Sequence, residues 1–94
     1  MEKLDNKDVI SVILDLNYAF HAEMLGHGLS LTFQYPEEAP YKELGIDFNE
    51  QVQMLYLYRD KEFIKSVSVG GTQPHYSEIL YTWLNQLNTL EPIL

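Results

Sequence analysis

Cysteine is absent from the 94 residues. That excludes disulfides, thiol catalysis and cysteine–zinc sites, and it fits a reducing compartment. Basic residues are scarce: six lysines and arginines stand against fourteen acids, for a net charge of −8. A field of that sign repels nucleic acid and anionic membrane and attracts basic partners. No apolar run approaches the roughly 18 residues that a membrane span needs. The opening Met1-Glu2-Lys3-Leu4-Asp5 has neither the basic region nor the apolar core of a signal peptide. The cytoplasm is therefore the expected location. Repeats, low-complexity tracts and linkers are also missing, so residues 1–94 read as a single domain. Its length suffices for a core without metal or disulfide.

What is present is unevenly spread. Residues 36–50 hold Glu37, Glu38, Glu43, Asp47 and Glu50 against Lys42 alone, half of the net charge. Tyrosine, at seven residues, is abundant. Tyr41 sits inside the acidic stretch, and tyrosine favours interfaces because it buries area while keeping a polar end.

The most patterned stretch is residues 46–69. Ile46, Phe48, Val52, Met54, Tyr56 and Tyr58 alternate, broken only by Glu50, as in a strand with one buried face. The return strand is Phe63-Ile64-Lys65-Ser66-Val67-Ser68-Val69, and Arg59-Asp60-Lys61-Glu62 forms the turn. With Asp60-Lys61 as the loop, Tyr58 faces Phe63, Met54 faces Val67 and Val52 faces Val69; Asp-Lys is not the favoured Asn-Gly type, which leaves a longer loop as the alternative. This places Leu55, Leu57 and Ile64 on the opposite face, where they need a cover: the chain's own tail, a second copy or a partner.

Asp5 or Asn6 caps a first helix expected to run to about Leu25, with Asp8 in its first turn. Its stripe is Val9, Ile13, Leu16, Phe20 and Met24, and Gly26 and Gly28 end it. Residues 29–35 alternate as a strand closed by Pro36. A loop with two prolines and Gly45 then leads to the hairpin. After Gly70-Gly71, Pro74 opens a second helix whose apolar face is Tyr76, Ile79, Leu80, Trp83, Leu87 and Leu90. The expected fold is α+β: an α-β-β-β-α two-layer sandwich, with both helices on one face of a three-stranded antiparallel sheet. This order resembles that of the double-stranded-RNA-binding domain. That family presents a basic cluster at the start of its last helix, whereas Gln73-Pro74-His75-Tyr76-Ser77-Glu78 has no lysine or arginine.

No catalytic, cofactor-binding or metal site emerges. His21 and His27 are six residues apart with Glu23 between them. On a helix they would point about 120° apart, unlike the zinc-protease spacing. Gly70-Gly71-Thr72 lacks the lysine of a phosphate loop. His75 and Ser77 diverge at a helix start, and Glu37 and Glu38 lie on a loop with no fixed separation. The expectation is a non-enzymatic, acidic protein-binding module without cofactor. It docks on and masks a basic surface of a partner protein, as inhibitors, immunity proteins and antitoxins of nucleases do. Glu37, Glu38, Tyr41, Glu43, Asp47 and Glu50 are the candidate contacts. The alternative is a homodimeric structural or adaptor protein joined through Leu55, Leu57 and Ile64. A small-ligand or enzymatic domain finds no constellation to rest on.

Overall fold

A computed structural model describes residues 4–26, 28–69 and 76–89. The order is α1 (Asn6–Leu16), β1 (His21–Leu25), β2 (Gly28–Gln34), β3 (Glu43–Asn49), β4 (Met54–Arg59), β5 (Glu62–Ser68) and α2 (Tyr76–Thr89). The five strands form an antiparallel meander in sequence order. The fold is α+β, as the sequence suggests, but with five strands where three are expected.

The first extra strand comes from the early end of α1. Asp5 caps the helix in a reciprocal box: the Asp8 N–H donates to Asp5 Oδ1 (2.9 Å) and the Asp5 N–H to Asp8 Oδ2 (3.0 Å). Asn17 stops it in the left-handed conformation, φ 62°, with its N–H on the Leu14 carbonyl. Asparagine tolerates that conformation where most residues do not. His21–Leu25 then pairs with β2, Leu25 opposite Gly28. Gly26, at φ 63°, stands in the turn after β1 and does not cap a helix. Met24, placed by the helical stripe in the core, is 60% exposed.

The second extra strand is a break inside the expected long one. Asn49 Oδ1 accepts the N–H groups of Gln51 and Val52, and Gln53 takes φ 56°, so the chain turns between β3 and β4. Buried positions are even-numbered in β3 (Leu44, Ile46, Phe48) and odd-numbered in β4 (Leu55, Leu57). The expected facing of Met54, Tyr56 and Tyr58 is therefore reversed. Leu55 and Leu57 are wholly buried within the chain. They join one core cluster with Val9 and Ile13 of α1 and Leu80, Trp83, Leu84 and Leu87 of α2. The structure thus corrects their assignment to an oligomer interface. Ile64 is half-buried at a bulge, because Leu57 pairs with Lys65 while Tyr58 pairs with Phe63. The bulge preserves the expected Tyr58–Phe63 pair and moves Met54 opposite Ser68 and Leu55 opposite Val67.

Two polar ties fix the ends of the sheet. The Gln53 amide accepts from the Leu4 N–H and donates to the Leu4 and Glu50 carbonyls, each at 2.8 Å, holding the entry to α1 against the β3–β4 turn. At the other end Asp60 and Lys61 form the expected two-residue loop, both in the left-handed conformation (φ 50° and 68°). Asp60 Oδ1 accepts the N–H groups of Lys42 (2.7 Å) and Glu43 (2.9 Å). The segment before β3, read from the sequence as a free loop, is stapled there, and β3 begins at Glu43. Among the described residues no helix is long and apolar enough to cross a membrane. His27, Gly70-Gly71-Thr72, Pro74, His75, Leu90 and the tail beyond lie outside the described residues.

Candidate functional site: the uncovered face of the sheet

Strand alternation sends one set of side chains to the helices and the other away from them. The second set forms two cross-strand rows. One runs His21, Thr32, Gly45, Tyr58, Phe63; the next runs Glu23, Ser30, Asp47, Tyr56, Ser66. Each row begins with an ionisable residue on β1, passes small groups on β2 and reaches a tyrosine on β4. Both helices contribute their buried residues to the opposite face, so these rows carry no cover among the described residues.

Gly45 gives the face its relief. A Cβ there would stand 3.2 Å from Tyr58 Cβ, so glycine lets the Tyr58 side chain lie close against β3. The Tyr58 ring meets Phe63 edge-on, with centroids 5.8 Å apart. Beside this aromatic ridge lie two shallow depressions that share Ser30, Asp47 and Tyr58. One, of about 280 Å³, adds Asn49 and Tyr56. The other, of about 330 Å³, adds Thr32, Glu43, Gly45 and Lys61. Phe63 is 55% exposed, although it is fully apolar. The strand residues of this face include Glu23, Glu43 and Asp47 and no lysine or arginine; Lys61 approaches from the turn.

The acidic stretch that is continuous in sequence is divided in space. Glu43 and Asp47 flank Gly45 on the open face. Glu37 and Glu38 are exposed in the turn after β2. Glu50 is bound at the opposite end, where its Oε2 accepts the Asn6 N–H at 3.1 Å. Tyr41 is half-buried on the helix side, 5.6 Å from the Tyr35 ring and under the Arg59 guanidinium at 4.7 Å. Of the six expected contacts, the fold brings Glu43 and Asp47 together with aromatic groups. It gives Tyr41 and Glu50 packing and capping partners of their own.

Tyr56, Tyr58, Met54 and Phe63, which lend the face its character, are core residues in the sequence expectation. The signal that separates them is in β4 itself, where leucine alternates with tyrosine in Met54-Leu55-Tyr56-Leu57-Tyr58. Between two such sets, the one bearing hydroxyls is the better suited to solvent.

Arg59, next to Tyr58, belongs to the covered side. Its Nη2 donates to Gln86 Oε1 (3.0 Å), which also accepts the Tyr35 hydroxyl (2.6 Å). The Gln86 amide donates to the Trp83 carbonyl, and the guanidinium lies 5.6 Å from the Trp83 ring. Burial raises the Tyr35 pKa above its ordinary value near 10, against the opposing hydrogen bond and charge of Arg59. This network locks α2 to the sheet and leaves Arg59 engaged within the fold.

His21 and Glu23 approach to 3.9 Å and both are well exposed. Among the described residues no group of three or more histidine, aspartate or glutamate side chains gathers to hold a metal ion. No protein-family model, curated protein or solved structure matches the chain.

Proposed function

We propose that this chain is a small, non-catalytic binding module that docks its uncovered sheet face on a basic surface of a partner protein and masks it. Inhibitors, immunity proteins and antitoxins act in this way, and a nuclease or another nucleic-acid-binding enzyme is a fitting target, with the cytoplasm as the compartment. The observation that carries the reading is the open face itself. It joins the exposed Phe63 and the half-buried Tyr56 and Tyr58 to the carboxylates of Glu43 and Asp47. Aromatic anchors supply binding energy, and arginine, the cation most enriched at interfaces, stacks on them while pairing with carboxylates. The acidic field raises the association rate and excludes nucleic acid and anionic lipid as ligands.

The test begins with a partner recovered from native extract and released by high salt. Reversing Glu43 and Asp47 together should slow its association at least about several-fold and flatten the salt dependence. Reversing Glu37 and Glu38, which removes the same charge from the turn, should slow it less. Equal losses from the two pairs would reduce the effect to net charge, and no loss from either would end the proposal.

A further inference from the structure

β5 is an edge of the sheet, because among the described residues only β4 pairs with it. Beside it runs a groove of about 330 Å³ between the strand and α2, with Val67, Ile79, Thr82 and Trp83 among its lining. Lys65 stands on the strand wall and Glu78 on the helix wall. The ion pair found within 4.0 Å among the described residues is His21–Glu23, so Lys65 and Glu78 share this groove without pairing to each other. This flank is also nearly neutral. Residues 62–69 and 76–89 contain only Glu62, Lys65 and Glu78 as charges, in a chain of −8. Any surface used between two copies of so acidic a chain must avoid its field, and this one does.

We propose that β5 and α2 form a self-association surface, in which two copies join antiparallel through β5 into one continuous ten-stranded sheet. This is independent of the binding role of the open face. A twofold contact must be self-complementary, and the groove is: Lys65 of each copy meets Glu78 of the other. The register follows from the same residues. In an antiparallel twofold pair one residue faces itself at the axis. Lys65 there would oppose two ammonium groups. β5 itself ends at Ser68. The bulge at Ile64 bounds it on the other side. Ser66 is left at the axis, with Lys65 opposite Val67 of the second copy. Each apolar groove is then closed by the other molecule's strand, and the charge pairs fix alignment more than they add affinity.

Sedimentation equilibrium of the full chain over a wide concentration range tests this. The average mass should rise from 11.0 kDa towards twice that value. Lys65→Glu or Glu78→Lys alone should weaken the dimer by about tenfold or more, and the double variant should recover most of the loss. Both residues are exposed, so circular dichroism should stay unchanged. Because the chain has no cysteine, Ser66→Cys accepts a single spin label. In the dimer two labels would sit on backbones about 5 Å apart and broaden each other strongly. A chain that stays at 11.0 kDa at the highest concentration, single reversals without effect, or a dimer with uncoupled labels would each overturn the proposal.

Discussion

Two neighbouring rows cross the same strands and end in opposite environments. Leu31, Ile46 and Leu57 pair across β2, β3 and β4 and are wholly buried beneath the helices. One residue along, Thr32, Gly45 and Tyr58 pair across the same strands and face away from them. The first row is what a hydrophobic core requires: branched apolar groups without polar atoms, stacked strand to strand. The second is a poor core and a good surface, with a small residue that opens a depression and a tyrosine that rims it. Core packing is thus assigned to one set of alternate residues, and the other set is left for the binding role proposed above. A substitution on one face can therefore be read with little interference from the other.

The largest expected effect lies on the covered face. Leu57→Ala should cost about 2–5 kcal/mol, measured by urea denaturation, since the residue is fully enclosed. Met54→Ala, three positions earlier on the open face, should cost less than about 1 kcal/mol. Equal costs would erase the distinction between the faces, and a reversed order would mean that β4 is turned over.

That reversal is the arrangement expected from the sequence, and its origin is instructive. Even-numbered apolar residues from Ile46 to Tyr58 suggest an unbroken strand. The four residues between Asn49 and Met54 shift the parity instead, through an asparagine-capped turn and a left-handed Gln53. Nothing in local propensity announces a left-handed glutamine. It is sustained by long-range hydrogen bonds from its buried amide to Leu4. The end of α1 is a similar case. Its apolar spacing continues past Asn17 into β1, and only the left-handed asparagine and the pairing with β2 show where the helix stops. By contrast the β4–β5 loop, β2 and the body of α2 were readable, because turn position, alternation and helical spacing are local signals. The acidic stretch was visible as composition. Its division among an open face, a turn and a cap depends on strand direction, which composition does not contain.

A smaller effect is expected from Tyr35 on the covered face. Burial favours the neutral phenol of Tyr35, so the folded chain holds that proton more tightly than the unfolded chain does. Stability should therefore fall as pH rises above about 10. Tyr76 adds to the fall in the same direction, its pKa raised by burial and by Asp8 and Asp5. Tyr35→Phe should make the decline in melting temperature shallower between neutral and strongly alkaline pH. An unchanged slope would remove Tyr35 from the account.

The division of labour between the faces is tested most directly by amide chemical-shift mapping during titration with an arginine-rich peptide at physiological ionic strength. The largest shifts should fall on Ser30, Thr32, Gly45, Asp47, Tyr56, Tyr58 and Phe63. Glu37, Glu38, Asp5 and Asp8, equally acidic but off that face, should move little. Shifts that follow carboxylates wherever they lie, or that centre on α1 and α2, would contradict it.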